Sequence, residues 1–319
     1  PTLAYAGGDV AAWQGRLRRK LRQLLGAMPR QRCALNVRSL WREETPLGSI
    51  EKLVFTSEPC ADVPAYLCLP KGARPPYRVF ICLQGHSTGM HVSIARQQED
   101  ERLPLEVAGD RDFALGCLQR GMAALCLEQR SFGMRKELNV RGGQGGCHDA
   151  TMHALMLGRT LIGERVYDVD RAIDYLAARG DMRMAELGVM GNSGGGTISL
   201  FAAATLPRLR VAMPSCYFCT FRDSIMAIHH CGDNYVPGLL RVAEMADVLG
   251  LFAPRPVVVV AGAQDDIFPL AGVQEAFAQL RRIYAAAGAP DRCRLVVGPE
   301  GHRFYAELAW PELFRLQGW

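Results

Sequence analysis

The chain has 319 residues, of which 49% are hydrophobic and 22% charged, and a net charge of +5. That length and composition allow one large buried core, which excludes a disordered or fibrous protein. Residues 1–32 hold seven Lys/Arg against one acid, so the remainder, with 30 basic and 31 acidic groups, is nearly neutral and nucleic acid is not an expected partner.

The basic excess falls on Trp13-x3-Leu17-x3-Leu21-x2-Leu24-x3-Met28, the apolar stripe of a helix with arginines on its other face. Such a face is compatible with membrane or nucleic-acid attachment, but the neutral remainder favours a packed helix with a solvated basic side and no stable membrane insertion. This amphipathic segment is assigned to residues 1–48, ahead of a catalytic domain over 49–319. Runs 50–56 and 64–69 read as an antiparallel hairpin at a sheet edge. Short apolar runs at 79–83, 122–127, 187–191, 211–214, 257–262 and 295–297 alternate with helix-like stretches. They predict an α/β fold with a mostly parallel central sheet and helices on both faces. Two connections, 87–112 and 217–238, are long for this architecture and are expected to overhang the edge where its sites form.

The most informative stretch is Gly191-Asn192-Ser193-Gly194-Gly195, a G-x-S-x-G turn between a strand-like and a helix-like run. Glycines on either side let the chain reverse tightly, leaving the Ser193 hydroxyl at a helix N-terminus beside unpaired amides. A phosphate loop would need Gly-Lys-Ser/Thr and a dinucleotide site G-x-G-x-x-G, and neither spacing is present. A serine nucleophile needs a base and an acid to orient it, in this fold in the order Ser, Asp/Glu, His. Strand 257–262 ends at Gly262-Ala263-Gln264-Asp265-Asp266, and strand 295–297 leads into Gly298-Pro299-Glu300-Gly301-His302. Asp265 is chosen over Asp266 as the acid, and His302 is the base.

Eleven cysteines are an odd number, and Cys68, Cys82 and Cys126 lie within apolar strands as small hydrophobes. A reducing compartment, the cytoplasm, fits this usage, with a cleaved leader still compatible. Cys216 and Cys219 form a C-x-x-C, and His229-His230-Cys231 follows, but the second ligand pair of a zinc site is missing and no metal is expected.

The order of these landmarks resembles the α/β-hydrolase superfamily, in its acetyl xylan esterase-like and dienelactone hydrolase-like group of serine esterases. The residues that carry the likeness are Leu83-Gln84-Gly85-His86, Glu128-Gln129-Arg130-Ser131-Phe132-Gly133 and the run from Tyr167-Asp168-Val169-Asp170 to Leu176. The serine turn, Gly262-x-x-Asp265 and Glu300-Gly301-His302-Arg303-Phe304 complete it. The resemblance implies Ser193 as nucleophile, His302 as general base and acid, and Asp265 as the orienting carboxylate. It also implies an oxyanion hole from the backbone amides of His86 and Gly194. The group usually carries His-Gly where this chain has Gln84-Gly85, which leaves the backbone donor intact. Dienelactone hydrolases use cysteine, so a serine here implies ordinary carboxylic esters, with a short acyl group, and no cofactor.

Gln84, Tyr217, Phe218, Phe221 and His229 are candidates for contact with a small ester substrate, the loop aromatics serving equally as anchors. A peptidase, acyl-peptide hydrolase or thioesterase with the same triad is the first rival, and a non-catalytic binding protein on this fold the second. A homo-oligomer is compatible with the sequence.

Overall fold

The computed structural model describes residues 1–137, 141–143 and 146–319. Helix α1 (Val10–Leu25) comes first, followed by strands β1 (Arg38–Thr45), β2 (Gly48–Glu58), β3 (Ala61–Pro70) and β4 (Val79–Leu83). Next are α2 (Phe113–Gln119), β5 (Ala123–Leu127), α3 (His148–Met156), α4 (Leu161–Arg179) and β6 (Gly188–Asn192). The chain continues through α5 (Gly194–Thr205), β7 (Val211–Ser215), α6 (Met245–Gly250) and β8 (Val257–Gly262). It closes with α7 (Leu270–Ala286), β9 (Cys293–Gly298) and α8 (Ala306–Gln317).

The nine strands form one sheet in the order β1-β2-β3-β5-β4-β6-β7-β8-β9. Pairs from β1 to β3 and from β3 to β5 are antiparallel, and every pair from β5 onward across the sheet is parallel. Strand β8, Val-Val-Val-Val-Ala-Gly, is buried along its whole length, as a β-branched run covered on both faces must be. Alternation along β4 divides the core: Val79, Ile81 and Leu83 face one layer with α1, α4, α5, α6 and α7, while Phe80 and Cys82 face α2 and α8. Strands β5 and β6 flank β4, so the connections run to opposite sides there and open a crevice at the carboxyl ends.

Residues 1–48 differ in part from the helical segment expected. Helix α1 is capped by Asp9, whose carboxylate accepts from the amides of Ala11 and Ala12, and it buries Trp13, Leu17, Leu21 and Leu25. Residues 38–45, however, form β1, the edge strand, whose sequence Arg-Ser-Leu-Trp-Arg-Glu-Glu-Thr is mostly exposed and lacks a buried stripe. Charged side chains on an edge strand block pairing with another chain, which is why the stretch does not look like a strand.

The basic side of α1 is also not merely solvated. Arg18 donates to the carbonyls of Ala204 and Leu251, and Arg22 to that of Thr205. These carbonyls end α5 and lie just past α6, where a cation meets unpaired acceptors and the negative end of the helix dipole. No helix among the described residues is long and apolar enough to cross a membrane.

Candidate active site

Ser193 sits between β6 and α5 at φ 57° and ψ −121°, a conformation that costs a non-glycine residue about 1–3 kcal/mol. The turn is pinned by the Ser193 amide, which donates to the Ser215 carbonyl at 2.9 Å, and by the Thr197 amide, which donates to the Ser193 carbonyl at 2.8 Å. Gly195 is required by close approach: a Cβ there would lie 1.9 Å from the Leu83 carbonyl oxygen. The serine turn is therefore pressed against the end of β4, and a Cβ on Gly85 would lie 3.1 Å from that of Ser193.

His302 and Asp265 meet across the loops after β9 and β8. The loops are joined by the Gln264 amide, which donates to the Glu300 carbonyl at 2.8 Å, and by Ala263, which donates to Gly298 at 2.8 Å. His302 Nδ1 is 2.8 Å from Asp265 Oδ2, while Asp265 Oδ1 accepts from the amides of Ile267 and Phe268 at 3.0 and 3.2 Å. Burial pushes the Asp265 carboxyl up, but the bond to His302 and the two amides outweigh it and hold it below its usual value. Asp266 is exposed. The other ring nitrogen, His302 Nε2, is buried and makes no hydrogen bond, to Ser193 Oγ or to any other described group. Phe268 stacks on the His302 ring at 5.9 Å, and Tyr217 packs behind Phe268 at 5.5 Å.

The amide of His86 lies three residues past β4, next to Gly85 at the serine turn, and that of Gly194 at the first residue of α5. Neither donates to another described group, as an oxyanion site requires. The His86 side chain lies over the start of α5: a Cβ on Gly194 would fall 2.9 Å from His86 Nδ1. Its Nε2 is 2.9 and 3.0 Å from the two carboxylate oxygens of Asp233, and its ring meets Phe132 edge-on at 5.1 Å. Burial pulls this imidazole down, but the Asp233 carboxylate and the Cys147 thiol beside it prevail, raising its pKa to about 9.

Several residues expected to line a substrate pocket do other work. The Gln84 amide is buried and donates to Ser93 Oγ and the Arg111 carbonyl at 2.8 and 2.7 Å, tying down the 87–112 connection. Tyr217, Phe218 and Phe221 are buried in the larger core layer, the anchoring alternative. His229 is exposed, while its neighbour His230 is half-buried, 5.9 Å from the Phe268 ring. The long connections also differ from each other. Glu101 in the first reaches back over the sheet edge to Trp41, Lys52 and Tyr66. The second stays at the site, where Asn234 accepts from Thr197 at 3.2 Å and Asp233 meets His86.

Cys216 was legible only as half of a C-x-x-C. Its thiol lies 3.2 Å from the Arg303 carbonyl and within 4.8 Å of the donor atoms of Asp265 and His302, and burial beside Asp265 pushes its pKa up to about 12. Cys219 turns instead to the Pro269 carbonyl, so the two sulfurs do not form a ligand pair. Position at the end of a parallel strand was the one available signal for Cys216. His230 was legible only beside Cys231 as a candidate metal ligand, and Phe268 and Asp233 had no signal.

Beneath the site, Glu128 at the end of β5 accepts from the amides of Met90 and Met134 at 3.0 and 3.1 Å, and burial raises its pKa to about 7. Arg130 and Arg135 converge on the buried Asp168 of α4, with contacts of 2.9, 2.9 and 2.7 Å that hold the 128–135 segment in place.

No protein-family profile matches the chain. It is 26% identical over 306 residues to YtaP of Bacillus subtilis (strain 168), provisionally named a hydrolase, covering 95% of this chain and 98% of that protein. A solved structure from Bacteroides fragilis, provisionally named an acetyl xylan esterase, superposes with a TM-score of 0.78 at 16% identity, covering 99% of this chain and 85% of that one. A glucuronoyl esterase from Solibacter usitatus gives 0.72 at 16% identity, covering 100% and 96%. The chain has the α/β-hydrolase fold.

Proposed function

We propose that this α/β-hydrolase-fold chain is a serine hydrolase of carboxylic esters that works through an acyl-enzyme, on substrates with a short acyl group. The observation that carries the reading is the 2.8 Å contact between Asp265 and His302, which leaves Nε2 without a partner on the same sheet edge as the strained Ser193 turn. In the reaction, Ser193 Oγ attacks the ester carbonyl as His302 Nε2 takes its proton, then returns that proton to the leaving alcohol. Water hydrolyses the acyl-serine by the same transfers in reverse. Asp265 stabilises the transient imidazolium and keeps Nδ1 as the donor. The contact between Ser193 and His302 is open in the free chain, and such bonds commonly tighten only when substrate is bound.

Negative charge on the tetrahedral oxygen falls to the amides of His86 and Gly194, each contributing roughly 3–4 kcal/mol if it acts as comparable donors do. The short-acyl preference is supported by the likeness to a structure named for acetyl xylan esterase activity. A fluorophosphonate probe tests the reading: the wild-type chain is labelled and Ser193→Ala is not. Equal labelling of both, or of neither, rejects it. Across p-nitrophenyl acetate, butyrate and octanoate, acetate is turned over fastest, and a preference for octanoate rejects the short-acyl assignment.

A further inference from the structure

Behind the His86 ring lies a cluster that ester hydrolysis does not use. A ring nitrogen of His86, Cys147 Sγ, Cys231 Sγ and a carboxylate oxygen of Asp233 all lie within 4.8 Å of one another. They come from three segments: the loop after β4, the residue preceding α3, and the connection after β7. We propose that these four side chains form a tetrahedral site for a borderline-soft divalent cation, Zn2+ in the first instance.

The donor chemistry points to that class. Two thiolates, an imidazole and a carboxylate suit zinc, whereas calcium and magnesium take oxygen ligands. With bond lengths of roughly 2.0–2.3 Å, the edges of a tetrahedral zinc site span roughly 3.3–3.8 Å. The present limit of 4.8 Å leaves a contraction of roughly 1–1.5 Å, which exposed Cys231 can supply, while the His86–Asp233 edge, now 2.9 Å, opens by a few tenths of an ångström. Cys231 also opens the cluster to solvent, so an ion has a route in.

Charge balance gives an independent reason. Arg165 and Asp233 both have side chains only 1% exposed, and Arg165 Nη1 holds Asp233 Oδ2 at 2.6 Å. The same guanidinium donates to the Arg130 carbonyl at 2.9 and 2.7 Å and lies 4.1 Å from the Phe132 ring. With the ion bound and the ligand protons displaced, two thiolates, one carboxylate and a neutral His86 carry three negative charges; a divalent cation leaves one, and Arg165 cancels it. Fixing Asp233 Oδ2 leaves Oδ1 for the metal, as carboxylate ligands are commonly oriented by an outer hydrogen bond. The sequence hid this set because its members are spread from 86 to 233 and only Cys231 and Asp233 are close in the chain.

The test is titration of the fully reduced chain with Co2+, read by absorption, with Zn2+ as competitor. The proposal expects one equivalent to produce a thiolate-to-cobalt charge-transfer band and the visible bands of a tetrahedral ion, both bleached by Zn2+. Cys231→Ser abolishes the charge-transfer band or weakens it severalfold, whereas Cys60→Ser, at an exposed cysteine outside the cluster, leaves it intact. Absence of the bands in the reduced wild type overturns the proposal, as does an unchanged spectrum in Cys231→Ser. A Cys147–Cys231 disulfide in air, with no metal taken up after reduction, overturns it in favour of a redox pair. Because the readout is metal binding, these results are separate from the fate of the esterase reading.

Discussion

Asp265 divides its two oxygens: Oδ2 meets His302 Nδ1 at 2.8 Å, and Oδ1 takes the amides of Ile267 and Phe268. The carboxylate is thus oriented by backbone and in turn meets the imidazole, whereas neighbouring Asp266 is exposed to solvent. Asp265→Asn should lower kcat on p-nitrophenyl acetate by about 10^4-fold, because the amide favours the wrong imidazole tautomer. Asp266→Asn should leave kcat unchanged. The two rates, measured side by side, decide the assignment, and the reverse pattern would transfer the role to Asp266.

Glu128 makes stability depend on pH. Its carboxyl rises from 4.5 to about 7 in the folded chain through burial. Between those values the folded chain holds a proton that the unfolded chain has released, so stability falls as pH rises through this window, by roughly 3 kcal/mol. Glu128→Gln should remove that component. Urea midpoints at about pH 5 and pH 8 check this: the wild type should lose more stability between them than the variant. Parallel curves would contradict the expectation.

Asp168 has the opposite sign. Burial pushes its carboxyl up, but Arg135 and Arg130 overcome this and hold it far below 3.8. Its stabilising contribution is therefore present above the unfolded value and is lost as pH falls through the depressed native one. Asp168→Asn leaves the half-buried Arg135 without an ion pair, while Arg130 keeps Glu58 and Glu164, and should cost about 3 kcal/mol at neutral pH. Chemical denaturation measures it, and a loss under about 1 kcal/mol, the range of an exposed pair, would show that water already screens the cluster.

Two glycines should respond differently to alanine. Gly195→Ala places a methyl group 1.9 Å from the Leu83 carbonyl oxygen, a backbone atom that cannot turn aside. Its cost should reach or exceed the upper end of the roughly 1–3 kcal/mol typical of overpacking. Gly180, past the end of α4 at φ 76°, has open space around it, so Gly180→Ala should cost only about 1–2 kcal/mol of backbone strain. Thermal denaturation of the two variants separates steric from conformational cost, and equal losses would refute the distinction.

The parallel strands and the serine turn were readable because their determinants are local: β-branched runs, glycines at fixed offsets, and a histidine just past a strand. Edge strand β1 was not, since its alternating side chains are charged or exposed. The fate of Gln84 and Tyr217 was equally hidden. Whether such a side chain faces a ligand or a neighbouring loop is decided by packing from distant segments, here Ser93 and Arg111 for one and Phe268 for the other. His86 and Asp233, 147 residues apart, meet only because the β4 and β7 loops converge over α5.

The arginines of α1 bear on how short a chain of this fold can be made. A truncated version starting at Arg38 would lose the donors to the carbonyls of Ala204, Thr205 and Leu251 and uncover the apolar faces of α5 and α4 that the leucine stripe of α1 packs against. Such a fragment would contain Ser193, Asp265 and His302 and still be expected to aggregate, so the leading helix belongs to the minimal folding unit.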